Sequence, residues 1–401
     1  MTGRFANLLQ PLGLREYGRE ESIRVDRWLL LAAFTLLGWG LVMLTSASIV
    51  QGERLGNEYY FLIRQGVAVL LGLFISGTIV TRVPLKFYVK VRAWLLLLAL
   101  VMLIAVLIPG VGRTANDATR WISLGIINIQ VAEVARLLII MWMAGYLATR
   151  LELVQTQKRG MLAPSLVLVV AMFLVVKQPD FGTAAIMGMT IFLMAWLAGA
   201  HLWMMLILTV IGLFVGYEVM TMEDYRNTRL TSFVDPWADQ FGSGYQLSNA
   251  LIAIGSGGLF GRGLGESIQK LFYLPEAHTD FIFAVLAEEF GLIGVLALIG
   301  LYGMLIWRGF VIAQMAWDKG QVFGASLAWG ITSWIGIQAY VNMGVNMGLL
   351  PTKGLTLPLM SYGGSSMVVS LIAIGLLLRV YHEASLQPVM RREQPVTRGE
   401  G

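Results

Sequence analysis

The chain has 401 residues, 57% of them apolar and only 13% charged, with a net charge of +5. A soluble domain of this length needs roughly 25% charged residues to cover its surface, so these proportions indicate a membrane protein. The dispersed positive charge forms no stripe suited to nucleic acid, and the absence of cysteine excludes disulfides, thiolate catalysis and cysteine metal sites.

Residues 1–27 form a basic tail, and no cleavable signal peptide precedes the first apolar run. Apolar runs follow near 28–50, 60–80, 92–109, 131–148, 161–177, 181–199, 202–220, 280–307, 322–347 and 364–381. Backbone groups in lipid must be satisfied internally, so these runs are expected to be helices. Alternate connections carry the basic residues. Eighteen Lys and Arg side chains fall on the side of the two termini, against Arg54, Arg113, Arg120, Lys177 and Lys353 in the short loops opposite. The positive-inside rule then makes both termini cytoplasmic. The expectation is an all-α integral membrane protein: a bundle of about ten transmembrane helices over 28–381, tails at 1–27 and 382–401, and a long extracytoplasmic loop at 221–279 between the seventh and eighth helices.

Inside that loop, 245–254 is apolar but too short to span, which suggests an interfacial or re-entrant helix. The stretch Gly255-Ser-Gly-Gly-Leu-Phe-Gly-Arg-Gly-Leu-Gly265 matches neither phosphate-loop nor dinucleotide spacing and reads as a close-packed turn. His201, His278 and His382 are too scattered in sequence to suggest a zinc site.

A charge in a span costs roughly 2.5–3.5 kcal/mol, so each calls for a reason. Arg64 and Gln65 sit one turn inside the second span, where the arginine either snorkels to the interface or contacts phosphate. Glu133 and Arg136 share one face at the start of the fourth span, as an ion pair or as an anchor for the polar segment containing Arg120-Trp121. Asp180, with Thr183 three residues on, fits an N-cap of the sixth span. Asp280 opens the eighth span, where an acid either stabilises the first turn or does chemistry. Glu288 and Glu289 lie deeper on that helix and cannot form a close carboxylate pair with Asp280, and Glu289 needs a partner from elsewhere. The connection Leu350-Pro-Thr-Lys-Gly-Leu-Thr-Leu-Pro-Leu-Met-Ser-Tyr-Gly-Gly-Ser-Ser366 offers Lys353, hydroxyls and a glycine pair ahead of a helix. It suits an anion, or it is a loop folded against the bundle.

With these motifs the chain resembles the SEDS family (shape, elongation, division and sporulation). The matching pieces are Phe61-Leu-Ile-Arg-Gln65, Thr119-Arg-Trp-Ile-Ser-Leu-Gly125, Gln178-Pro-Asp-Phe-Gly-Thr183, Pro275-Glu-Ala-His-Thr-Asp-Phe-Ile-Phe283 and Ser361-Tyr-Gly-Gly-Ser-Ser366. Pro351-Thr-Lys-Gly-Leu-Thr-Leu-Pro358 and the long N-terminal tail resemble the division-type members. Asn116-Asp117 and Gln130-Val-Ala-Glu133 depart from the family's usual pattern.

The resemblance implies a peptidoglycan glycosyltransferase that polymerises lipid II at the outer face of the bacterial cytoplasmic (inner) membrane, at the division septum. Asp280 is then the catalytic base for the acceptor's 4-hydroxyl, and undecaprenyl pyrophosphate is the leaving group. Arg64, Arg120 and Lys353 are candidates to meet the pyrophosphate charge. Substrate contacts are expected from Gln65, Trp121, Glu133, Arg136, Asp180, His278, Thr279, Ser361, Tyr362, Gly363, Gly364 and Ser365. A divalent cation, magnesium or manganese, could share the charge, though no dedicated oxygen cage is visible. The implied partners are a class B penicillin-binding protein, which is a transpeptidase, and other divisome proteins. A lipid II flippase would instead depend on deep ionisable groups such as Glu289, and a non-catalytic divisome scaffold would not require Asp280 at all.

Overall fold

The structure is a computed structural model that describes residues 23–115, 118–123, 128–201, 212, 233–351 and 354–386. The expected span at 202–220, apart from Gly212, together with Lys353 and the Asn116-Asp117 departure, lies outside the described residues. In chain order the elements are α1 (Arg27–Arg54), α2 (Tyr60–Arg82), α3 (Leu85–Ala105), β1 (Gly112–Ala115), β2 (Ala118–Ser123) and β3 (Asn128–Gln130). They continue with α4 (Val131–Thr156), α5 (Leu162–Val176), α6 (Phe181–Leu197), α7 (Tyr245–Gly257), α8 (Ile282–Asp318), α9 (Val322–Asn346) and α10 (Gly364–Leu386).

Seven of the described helices are long and apolar enough to cross a membrane, which makes this a polytopic helical membrane fold. α9 falls outside that set because it carries Ser326, Thr332, Ser333, Gln338, Asn342 and Asn346, and all of them are buried against neighbouring helices. α4, α9 and α10 form the middle of the bundle, whereas α2, α3 and α5 turn rows of large apolar side chains outward, among them Leu70, Phe74, Trp94 and Leu166. α2 and α10 approach closely because Gly72 and Ser76 face Leu371 and Gly375, and a Cβ on Gly375 would lie 3.0 Å from the Ser76 Cα.

The all-α expectation holds for the bundle but not for one connection. Gly112–Ala115, Ala118–Ser123 and Asn128–Gln130 form an antiparallel three-stranded sheet in the order β1-β2-β3. Thr119, Trp121, Ile122 and Ile129 are strand formers, and their pairing satisfies backbone groups that a polar loop would leave to solvent. The third span starts earlier than its apolar run, at Leu85, because Pro84 sets the helix entry and the basic first turns continue the same helix.

Two cross-helix contacts calibrate the height of the bundle. Asp26 caps α1 through Leu29 N–H and pairs with Arg308 of α8, whose Nε lies 3.3 Å from Oδ1. Toward the other end of the same two helices, the Ser46 hydroxyl donates to Glu289 Oε1 at 2.5 Å. At the helical rise, about 30 Å separates the two contacts along either helix, which is the thickness of a hydrocarbon core. Residues 233–279, which include α7, and the 354–363 connection all lie at the Ser46–Glu289 end.

α8 is not continuous: Gly291 breaks it with φ 64° and ψ −162°. The break frees backbone groups, and the glycine-rich stretch takes them up. Leu292 N–H donates to Gly258 O (2.9 Å) and Ile293 N–H to Leu259 O (3.2 Å), while Arg262 N–H and Gly263 N–H donate to the Glu288 and Glu289 carbonyls (both 3.0 Å). Any Cβ on Gly261 or Gly291 would collide with backbone of the opposite segment, so the expected close-packed turn is borne out with its reason.

Candidate functional site

Asp280 lies in a turn ahead of α8. The N–H groups of Thr279, Asp280 and Phe281 converge on the Glu276 carbonyl at 3.1–3.2 Å. The Asp280 carbonyl accepts from Asn342 Nδ2 (2.9 Å) and Asn346 Nδ2 (3.0 Å) of α9. Ala284 N–H, which a continuous helix would direct to that carbonyl, instead reaches Phe281 O (3.0 Å) and Asn346 Oδ1 (3.2 Å). The helix therefore begins at Ile282, and the first-turn placement expected for Asp280 is corrected to a half-buried turn held from α9. Its carboxylate reaches toward the 354–363 connection: a Cβ on Gly354 would stand 2.9 Å from Asp280 Oδ2.

That connection is pinned from three sides. Asn342 Nδ2 also donates to Leu355 O (2.6 Å), and Gln338 Nε2 donates to Thr356 O (2.9 Å). Gln65, fully buried, uses both ends of its carboxamide, donating to Ser361 O (3.0 Å) and accepting Gly363 N–H (3.2 Å). Tyr362 N–H donates to the His278 carbonyl at 2.9 Å, which ties the connection to the Asp280 turn. Rings reinforce the joint: His278 packs against Phe61 (centroids 4.5 Å) and Tyr362 (5.6 Å), and Phe61 against Tyr362 (5.1 Å). Burial lowers the titration of His278 from its ordinary 6.5, against an opposing pull from Glu276, so the ring is neutral near pH 7. Burial likewise raises Tyr362, offset by the neighbouring Arg64.

Arg64 is exposed and stacks over Tyr60, its guanidinium carbon 4.6 Å from the ring centroid, beside the Tyr362 hydroxyl. Thr279 turns its hydroxyl back to Glu276 Oε2 at 2.8 Å. Of the expected glycine N–H donors ahead of α10, that of Gly363 is taken by Gln65.

A second polar group lies alongside. Arg120 clamps the Gln178 carbonyl (Nε, 3.1 Å) and the Pro179 carbonyl, so two of its donors serve the turn between α5 and α6. Trp121, half-buried, pairs in register with Gln130, whose Nε2 donates to Asp180 Oδ2 at 3.3 Å. Asp180 caps α6 through Thr183 N–H (3.2 Å), as its spacing indicates. Glu133 and Arg136 form the expected intrahelical pair, fully buried, with Arg136 stacked on Trp334 at 4.4 Å. Ser365 joins the two groups: its hydroxyl donates to Asn128 O and accepts Gln130 N–H, both at 2.9 Å, which docks β3 on the start of α10. The described residues of the five distant motifs thus meet at one end of the bundle; Leu124, Gly125 and Lys353 lie outside the described residues.

Sequence reading missed the amide ladder on α9. Trp334 Nε1 donates to Gln338 Oε1 (2.7 Å), and Gln338, Asn342 and Asn346 follow at four-residue intervals on one buried face. Three amides in one stripe of an apolar helix were the available signal. Glu288 and Glu289 are accounted for as well. Glu288 accepts from Ser267 Oγ (2.6 Å), Ile268 N–H (3.0 Å) and Gln269 N–H (3.3 Å), and Glu289 pairs with Lys270 Nζ at 3.0 Å.

A family model described as cell cycle protein, covering FtsW, RodA and SpoVE, matches residues 27–386. A probable peptidoglycan glycosyltransferase FtsW of Halothiobacillus neapolitanus is 58% identical over 95% of this chain and 92% of its own length. The protein of that name from a Thioalkalivibrio species is 50% identical over 98% of each chain. Among solved structures, a peptidoglycan synthase complex described as coordinating polymerization and crosslinking contains a chain with TM-score 0.74 and 27% identity, covering 91% of this chain and 100% of that one. The rod shape determining protein RodA of Thermus thermophilus superposes with TM-score 0.67 and 30% identity, covering 91% of this chain and 99% of that one.

Proposed function

Because the chain belongs to the FtsW/RodA/SpoVE family of cell cycle proteins, we propose that it is a peptidoglycan glycosyltransferase that polymerises lipid II, with Asp280 as its general base. The observation that carries the catalytic assignment is the meeting of Asp280 with the 354–363 connection, held by Asn342, Gln65 and His278. The acceptor's 4-hydroxyl oxygen bonds to the donor's anomeric carbon as the bond from that carbon to the pyrophosphate breaks. Asp280 takes the hydroxyl proton, and undecaprenyl pyrophosphate departs with the electron pair. Direct displacement inverts the anomeric centre and needs no covalent enzyme intermediate.

Arg64, exposed and oriented by Tyr60, is the described cation best placed to meet the developing pyrophosphate charge, with Lys353, next in sequence to the 354–363 connection, as a second candidate. Arg120 already holds two carbonyls and acts through the shape of the site. Among the described residues no three His, Asp or Glu side chains form a metal-holding group. A magnesium or manganese ion would therefore rest mainly on substrate phosphates, with Asp280 as one protein oxygen source.

The asymmetry of basic residues supports a site end facing outward from the bacterial inner membrane, with both termini in the cytoplasm. Work at the division septum, beside a class B penicillin-binding protein and other divisome proteins, fits the division-type relatives and the solved synthase complex. A flippase would need ionisable groups able to change partners within the membrane. Here Glu289 lies at the hydrocarbon boundary and is paired with Lys270, and Glu133 is closed on Arg136.

The test supplies labelled lipid II to wild type and Asp280→Asn, each bound to a cognate transpeptidase. Wild-type polymer with none from the folded variant is expected. Equal polymer from both removes Asp280 as the base, and transport without polymer from either favours the flippase.

A further inference from the structure

We propose that the turn around Leu259 and Phe260 is a re-entrant wedge, which enters the bilayer beside the break in α8 and lays its side chains among the acyl chains of the nearer leaflet. Its position follows from the backbone. Leu292 N–H and Ile293 N–H donate to Gly258 O and Leu259 O, so the turn lies at the level of Gly291. Gly291 is seventeen residues along α8 from Arg308, or roughly 25 Å at the helical rise, just inside a hydrocarbon layer of about 30 Å.

The surface supports the same placement. Phe260 is 80% exposed and Leu259 61%, and below them Leu292, Ile293 and Leu296 are also exposed on the lipid-crossing part of α8. The two sets make one continuous apolar strip that crosses from helix to turn. Irregular backbone at this depth needs protein partners for its polar groups. The hydrogen bonds between 258–263 and 288–293 supply them to the Gly258 and Leu259 carbonyls and to the Arg262 and Gly263 N–H groups, while Gly261 N–H donates to Gly257 O. Arg262 lies 3.5 Å from Glu288 and keeps its side chain 37% exposed, a position from which it reaches the headgroups. Asp280 stands in the turn just ahead of the short helical segment, Ile282 to Phe290, that the wedge supports. The bilayer surface therefore sets the height of Asp280, about 15 Å above the turn.

The chain contains no cysteine, so single-cysteine variants report without background. Phe260→Cys, labelled with bimane in phosphatidylethanolamine–phosphatidylglycerol liposomes without any partner protein, is quenched in turn by nitroxide-bearing lipid and by aqueous iodide. Leu296→Cys is the lipid reference. Leu55→Cys is the water reference, since Leu55 is exposed and caps the end of α1 nine residues beyond Ser46. The expected ratio of lipid to iodide quenching at Phe260→Cys lies closer to the Leu296→Cys value, with iodide at least threefold weaker than at Leu55→Cys. A ratio closer to Leu55→Cys overturns the wedge and leaves the turn in water. Should Phe260→Cys fold poorly, Leu259→Cys, also exposed on the turn, reads the same two outcomes.

Discussion

Gly354 stands against the carboxylate of Asp280 so closely that a Cβ there would lie 2.9 Å from Oδ2. Among the described residues only the Asp280 carboxyl group lies within 4 Å of that position, so a methyl group there acts sterically on the carboxylate. Gly354→Ala is expected to turn the carboxylate proposed as the base and to reduce polymerisation about tenfold or more, equivalent to about 1.4 kcal/mol of barrier. Initial rates across lipid II concentrations, with a melting curve of the same sample, check this. Unchanged kcat, or a loss matched by lower stability, refutes it.

Gln65 spans the joint between α2 and the 354–363 connection with two buried hydrogen bonds. Gln65→Leu keeps the approximate shape and strands Ser361 O and Gly363 N–H. A loss of about 2–4 kcal/mol is expected, since each unsatisfied group costs about 1–3 kcal/mol. Denaturation in detergent micelles measures it, and a variant as stable as wild type would show that water replaces both bonds.

His278 confers a dependence on acidity. Its folded-state titration lies below the ordinary 6.5, so the unfolded chain binds the proton more readily. Stability from the neutral ring is complete above that ordinary value and is lost as pH falls through it toward the lowered one. Wild type should melt at a lower temperature at pH 5.5 than at pH 7.5. His278→Phe, which keeps the packing on Phe61 and Tyr362, should show a smaller difference. Parallel pH curves for the two proteins would exclude His278 as the source.

Lys270 and Glu289 form a buried pair in which Lys270 Nζ also reaches Ser46 Oγ (2.9 Å) and Gly265 O (2.6 Å). Lys270→Met leaves Glu289 without its cation and should cost about 3–5 kcal/mol. Adding Glu289→Gln should recover most of that loss, because the burden is the uncompensated charge. A double-mutant cycle by thermal unfolding decides it, and additive losses would contradict a coupled pair.

The spans were legible wherever apolar runs were long. Nine of the ten expected spans coincide with described helices, and several starts, such as Val131, Val322 and Gly364, fall at the expected residue. The Asp180 cap and the Glu133–Arg136 pair were readable too, because both depend on residues three apart. Contacts between distant segments were not. Nothing local ties Gln65 to Gly363, or Glu289 to Lys270 and Ser46, since those bonds exist only after helices far apart in the chain pack together. The sheet at 112–130 was hidden for a related reason: its strands are short, and their pairing outweighs a composition that reads as a polar loop.

The docking of β3 on Ser365 has a consequence for the order of biosynthesis. Asn128 and Gln130 are translated more than two hundred residues before the serine they bind, and Gln65 waits longer still for Gly363. Chains emerge N-terminus first and helices insert as they are made. The early helices must therefore hold one half of the candidate site while the ribosome completes the other. The joint of β3 and α2 with the residues around Gly363 and Ser365 closes only after α10 has been made.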